Sequence, residues 1–297
     1  MAHKPRLRRS AAAALTAATA AVGIVGLGAG AGHAGTTLPA ALAKFANCPV
    51  QNTAVTACYY IETTSATLDA GSFSGITSTD PMVLQFGGIP NLDTGTTTTV
   101  APANGVSALT SPALHLPGGI LHMPWADGGP LEAYITPQII GLPQLNLDNL
   151  TTTTNAPVLT LSMKAKVSNP FTNVLSALGN GCYIGSNSSP ITLNLTTGTT
   201  NPPGPNQPVT GASGTFDFSQ IGSGVIKITG QTVVDNAWSL PHASGCGLLG
   251  SLNWAIDLDD GQAGAGAGHN AATMNTTIYQ ANADAVRAAE GLPTVGS

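Results

Sequence analysis

The chain has 297 residues, nine Lys/Arg against 14 Asp/Glu, and only 8% of its residues are charged. Past residue 34 the cations are Lys44, Lys164, Lys166, Lys227 and Arg287 alone, too few and too scattered to displace counterions from a nucleic acid or to hold an anionic lipid surface. The shortage of Glu, Lys and Arg, set against 36 Gly and 21 Pro, speaks for a turn-rich β-protein and against a helical one.

Residues 1–34 read as an export signal. Lys4, Arg6, Arg8 and Arg9 form a basic start, an Ala/Gly/Val-rich run follows, and Gly32-His33-Ala34 offers the small residues that signal peptidase accepts. Cleavage after Ala34 is expected, leaving five basic residues against 14 acidic ones, a formal charge of −9. No later apolar run approaches the ~20 residues of a membrane helix, so no transmembrane span is expected after cleavage. The expected organisation is a lead segment over 35–47, one domain over 48–283 and a tail over 284–297.

Within that domain the strongest signal is period-two alternation. Weaker strand signals come first, at Val55–Thr63, Met82–Gln85, Leu114–Leu116 and Leu131–Ile140. In Val158–Val167, Leu159, Leu161, Met163, Ala165 and Val167 share one face, while Thr160, Ser162, Lys164 and Lys166 share the other, the mark of a half-buried strand. Ile191–Thr196, Thr215–Phe218, Val225–Thr229 (Ile226 and Ile228 inward), Leu252–Leu258 and Thr273–Ile278 follow. Glycine and proline pairs punctuate these runs; Gly71–Gly75 and Gly87-Gly88 read as turns. Thr197–Gly211 carries four prolines and three glycines, which keeps it out of a sheet. It is either a surface loop crossing the end of the fold, which we favour, or a link between two subdomains. Ala281–Glu290 reads as a short helix stopped by Gly291 and Pro293. The expected fold is all-β, an immunoglobulin-like β-sandwich of about ten short strands with two disulfides and a short C-terminal helix.

Four cysteines in an exported chain imply two disulfides. Three pairings are possible, of which Cys48–Cys58 and Cys182–Cys246 are favoured. The absence of a CxxC pair and of a His at ligand spacing from two cysteines argues against a metal site. No cofactor is implied.

Catalytic signals are weak. Gly71-Ser72-Phe73-Ser74-Gly75 places Phe73 where a nucleophile elbow needs Ser. Asp257-Leu258-Asp259-Asp260-Gly261 brings its Gly one position too early for a calcium loop. No pair of carboxylates stands out for glycoside hydrolysis. His115 and His122 flank the turn Pro117-Gly118-Gly119, with Asp127 nearby, and form the one cluster worth inspecting for weak metal binding or acid–base chemistry. Trp125 and Trp238 lie in loop-like sequence and are candidates to stack on a ligand; Trp254 falls on the apolar side of its run and reads as core. No catalytic residue is assigned.

The block Gly181–Gly211 (GCYIGSNSSPITLNLTTGTTNPPGPNQPVTG) resembles a family of small secreted actinobacterial proteins. Phe45-Ala46-Asn47-Cys48-Pro49, Ala57-Cys58-Tyr59-Tyr60, Val234-Asp235-Asn236, Ser244-Gly245-Cys246-Gly247 and Ala267-Gly268-His269-Asn270 resemble further parts of it. The resemblance implies an exported two-disulfide β-fold and brings no activity or catalytic residue. Leu159–Phe171 is similar to the strand and Asn-Pro signature of immunoglobulin-like late-embryogenesis-abundant domains, which again implies a sandwich.

These features lead to the expectation of a secreted, non-catalytic binding or structural protein of the cell envelope or medium. Its expected partners are a cell-wall polymer or another envelope component. The alternative is a carrier or receptor for an apolar small molecule or lipid, which requires an apolar pocket of about 300 Å³ or more. A secreted hydrolase built on His115 and His122 ranks last.

Overall fold

The computed structural model describes residues 38–295 except 79, 92, 120–122, 124, 126, 130–131, 151–154, 170–180, 248–249, 252, 254–255 and 258–266. Fifteen strands are present among them: β1 (Ala57–Ala70), β2 (Phe73–Ser78), β3 (Met82–Pro90), β4 (Thr96–Val100), β5 (Leu109–Thr110), β6 (Leu114–Leu116), β7 (Ala133–Ile139), β8 (Gln144–Asn146), β9 (Leu159–Ser168), β10 (Tyr183–Ile184), β11 (Ile191–Leu195), β12 (Thr215–Asp217), β13 (Val225–Asp235), β14 (Ala243–Ser244) and β15 (Ala271–Asn282). A helix, α1, covers Ala283–Ala289. The chain is all-β as expected. The strand number exceeds ten because several ladders are only two or three residues long.

Pairing is antiparallel throughout and runs β12-β13-β15-β1-β3-β4-β8-β9-β10-β14, with β7 and β11 also on β9. An isolated bridge between Thr196, just past β11, and Val234 in β13 joins the far side of this ladder back to its start. A circuit of strands β13, β15, β1, β3, β4, β8, β9 and β11 therefore closes on itself. Gly211 sits at this seam. A Cβ there would lie 2.5 Å from the Thr232 carbonyl and 2.8 Å from that of Thr196, so only glycine lets three backbones meet.

The main core fills the circuit. Leu159, Leu161, Ala165 and Val167 of β9, Ile191, Leu193 and Leu195 of β11, and Met274 and Ile278 of β15 all lie in it, as alternation predicts. A second, smaller core covers the other face of β1, β13 and β15 with Leu42, Phe45, Val50, Val55, Val225 and Val286. The lead and tail segments set apart in the sequence thus supply buried side chains to the unit that spans residues 36–297. The disulfides join Cys48 to Cys58 and Cys182 to Cys246.

Four local expectations change. Gly71–Gly75 is a turn only in part, since Phe73 opens β2 and is buried. Gly87 and Gly88 lie inside β3; a Cβ on Gly87 would come within 2.6 Å of Pro49 and one on Gly88 within 2.8 Å of Thr97. Gly87 lets the Pro49 ring approach, and Gly88 makes room for the Tyr59 and Thr97 side chains of the adjoining strands, so neither reverses the chain. Ile226 is only half-buried, and Val225 is the residue of that end of β13 that packs fully, into the second core. In the run 252–258, Asn253, Ile256 and Asp257 have helical geometry. Asn253 accepts the Cys246 N–H (2.8 Å) and Asp257 that of Ala243 (2.6 Å), so these side chains serve neighbouring turns in place of a strand.

The Pro-rich segment 197–211 is fastened to the circuit. Thr199 bridges Thr210. The Asn206 amide donates to the carbonyls of Asn236 (2.9 Å) and Asn270 (2.7 Å), and the Asn236 amide donates to that of Gln207 (2.7 Å). Asn270 in turn donates to the Trp238 carbonyl (2.9 Å) and accepts from the Gly71 N–H (2.8 Å).

Next to this network Asp235 is buried, its carboxylate accepting the backbone N–H of Asn194 (2.6 Å) and of Ala237 (2.9 Å). Burial raises its pKa above the ordinary 3.8, against the two N–H donors that lower it. A carboxyl with a raised folded-state pKa adds stability that is fully present below 3.8 and is lost as the pH rises through the folded value. Asp235→Ala orphans two buried donors and is expected to cost about 2–4 kcal/mol in urea denaturation at pH 7. Wild type is expected to gain stability over Asp235→Asn as the pH falls from 7 towards 4; a constant difference across that range would refute the assignment.

Candidate functional site

The histidine cluster forms, but with different members. His115 lies on β6, whose partner strand is β7, so the residue opposite it is Tyr134. His122 lies outside the described residues. His115 Nε2 stands 3.3 Å from Asp127 Oδ1 and 3.7 Å from Glu132 Oε1. The Tyr134 hydroxyl donates to Glu132 Oε1 at 2.6 Å, and its ring meets His115 edge-on at 5.3 Å. The hydrogen bond to Glu132 holds the Tyr134 phenol above its ordinary pKa. Asp127 also accepts the Gly118 N–H (2.8 Å), which anchors the turn. Glu132 and Tyr134 are the members that spacing missed, because only pairing across β6 and β7 brings them to His115. The arrangement can hold and relay a proton; hydrolysis needs, in addition, a nucleophile or an activated water presented to the ring.

The two tryptophans separate. Trp125 is 67% exposed. Trp238 is only 7% exposed and belongs to the main core. The Asn270 bond to its backbone carbonyl draws the segment after β13 inward, so its ring is not a surface platform. Trp254 lies outside the described residues.

An apolar cavity of about 90 Å³ lies within the circuit, lined from β1, β2, β3, β7, β9, β11, β13 and β15 and by Trp238. A drug-sized ligand needs roughly 300 Å³ or more, so a lipid does not fit these rotamers. A separate, more open cleft of about 420 Å³ lies among β4, β8 and β9, where Thr96, Thr98, Gln144, Asn146 and Thr160 give it a neutral polar wall.

The remaining feature is an uncovered apolar edge. Among the described residues β12 pairs only with β13. Phe216 stands opposite Ile228 of β13, a main-core residue, so both project from the same face of the sheet. Yet Phe216 is 42% exposed, Phe218 just beyond the strand 55%, and Ile221 in the following 3-10 turn 54%. The two phenyl rings stack, centroids 5.7 Å apart and 11° from parallel. On the opposite face Asp217 pairs with Lys227 at 3.7 Å. A strand edge that leaves three large apolar side chains in water is the kind of surface that marks an interaction site. Sequence alternation located this strand but carried no sign that its apolar face is bare.

Protein-family models, curated proteins and solved structures were all compared with the chain, and none matches it.

Proposed function

We propose that the mature chain is a secreted, non-catalytic binding protein of the cell envelope, and that it engages an envelope component through the β12 edge. The observation that carries this reading is the Phe216, Phe218 and Ile221 surface, apolar side chains from a core-type face with no cover among the described residues. The two disulfides suit an oxidising exterior. The near-absence of cations directs the recognition to apolar contact and neutral hydrogen bonding, not to charge.

The test is sedimentation of purified mature chain with washed cell envelopes. Wild type is expected to pellet with them, and the double variant Phe216→Ser/Phe218→Ser to bind at least tenfold more weakly. Both rings are exposed, so the variant is expected to keep the wild-type unfolding midpoint to within a few degrees. Wild type left in the supernatant, or a variant that pellets equally well, would refute the proposal. Repeating the assay with protein-stripped cell wall separates a polymer partner from a protein one.

A further inference from the structure

The β12 edge carries none of the devices that keep an exposed strand from pairing. Ala212 bridges Thr232 in the same register that sets Thr215 against Thr229 and Asp217 against Lys227, so the ribbon along β13 runs from Ala212 to Asp217. Residues 212–218 (ASGTFDF) contain neither Lys nor Pro, the residues that usually blunt such an edge. Their one charge, Asp217, is paired with Lys227 at 3.7 Å, so the edge is neutral although the mature chain is strongly acidic. Phe216 and Phe218 stack beside it, half in water. A neutral apolar edge with unpaired backbone groups is complementary to a strand of the same character, and its own sequence supplies one.

We propose that two copies of this chain pair β12 to β12 across a two-fold axis, antiparallel and centred on Phe216, and that this homodimer closes the edge while the protein is free of the envelope. The inference rests on the β12 edge being the interaction surface, and assigns its occupant in the free protein. Side-chain chemistry decides the register. Centring on Asp217 would set the two carboxylates directly opposite, and like charges there destabilise a strand pair. Centring on Thr215 would set Phe216 against the partner's Gly214 and part the rings of the two copies. Centring on Phe216 sets the two Phe216 rings opposite each other, Phe218 against the partner's Gly214 and Thr215 against the partner's Asp217. A Cβ on Gly214 would lie 2.4 Å from Ile228 Cγ2, so an apolar methyl floors this position and nothing bulky opposes the incoming phenyl. Four rings then form one row on the face that Phe216 shares with Ile228. On the other face each Thr215 hydroxyl can donate to a carboxylate across the axis, which satisfies the single charge of each edge. A two-fold contact uses each edge once and stops at two copies. A paired edge is closed to any envelope component, so dimerisation and envelope binding compete.

The test is sedimentation velocity of the purified mature chain over a concentration series, with cysteine cross-linking to read the register. Wild type is expected to pass from monomer to dimer as concentration rises, and Phe216→Ser/Phe218→Ser to stay monomeric throughout. Thr215→Cys and Asp217→Cys are each expected to cross-link poorly alone and readily when mixed. Directly opposite Cα atoms of an antiparallel pair lie about 4.5–5.5 Å apart, within disulfide reach, whereas diagonal ones lie about 7–8 Å apart. All four side chains lie outside both cores, so the variants are expected to keep the fold. The cross-linked mixed dimer is expected to pellet with washed envelopes at least tenfold more weakly than wild type diluted to the monomer. Wild type that stays monomeric, a double variant that dimerises equally well, or cysteine variants that cross-link as well alone as together would each overturn the proposal. A cross-linked dimer that pellets like the monomer would overturn the competition. Monomeric wild type that still pellets would overturn this inference and leave the envelope reading standing, whereas a dimer in this register whose monomer does not pellet would refute the envelope reading alone.

Discussion

Replacing Arg287 with Ala is expected to destabilise the protein by about 3–4 kcal/mol, measured by urea denaturation of the oxidised chain. Arg287 is 2% exposed on α1. Its Nε donates to the Val50 carbonyl (2.9 Å), and its Nη2 donates to those of Asn52 (3.0 Å) and Val55 (2.7 Å). Its Nη1 donates to Asp284 Oδ1 at 2.7 Å. One guanidinium thus gathers the carbonyls of the loop closed by Cys48–Cys58 and pins the C-terminal helix over them. Three carbonyl bonds at about 1 kcal/mol each, with the buried stem added, set the magnitude. Lysine is expected to recover less than half of the loss, because one ammonium lacks the planar fork that reaches three acceptors in different directions. A loss below about 1 kcal/mol would mean that α1 merely rests on the second core. The helix starts at Ala283, later than the predicted Ala281, because Ala281 and Asn282 still pair in β15; the Asn282 side chain accepts the Asp284 N–H at 2.7 Å, a standard N-cap.

The parts of this architecture that were legible in the sequence are those decided by local pattern. Alternation over ten residues located β9 and its buried face because a period of two cannot be satisfied by a helix of that length. In the strand predicted at Thr273–Ile278, Met274, Thr276 and Ile278 alternate onto the buried face for the same reason. Where the apolar positions admit either period, as Leu252 and Ile256 do by being four apart as well as in alternation, the described residues Asn253, Ile256 and Asp257 take helical geometry, and Asn253 and Asp257 cap neighbouring backbone. Other features depend on partners far away in sequence. The circuit closes through a bridge between Thr196 and Val234, and nothing near either residue announces it. Glu132 and Tyr134 join His115 only through the β6–β7 register. Trp238 sits between Asn236 and Pro241 in sequence that reads as a loop, yet a hydrogen bond from Asn270, 32 residues on, carries it into the core. Phe216 and Phe218 show the reverse failure, since a strand pattern states which side chains share a face and is silent about whether anything covers it.

Replacing Cys182 and Cys246 together with Ala is expected to cost about 4 kcal/mol, and the same change at Cys48 and Cys58 about 3 kcal/mol. The chain-entropy account scales with the logarithm of the closed loop, here 64 against 10 residues. Structure sharpens the contrast. The Cys48–Cys58 loop keeps Arg287 and the second core when its bond is removed. Cys182 and Cys246, by contrast, flank β10 and β14, each of two residues, with β14 the last strand of the ladder. Gly245 is held at a φ of 68°, facing the Gly181 carbonyl so closely that a side chain would collide with it. The chain therefore makes its reversal here on glycine and holds it with sulfur. In the Cys182→Ala/Cys246→Ala variant, amide exchange at Ala243 and Ser244 is expected to accelerate beyond what the global loss explains, because a two-residue ladder to β10 is all that pairs β14. Exchange that rises only in step with global stability would assign the bond's whole effect to the unfolded chain. A larger loss at Cys48–Cys58 than at Cys182–Cys246 would refute the loop-length argument itself.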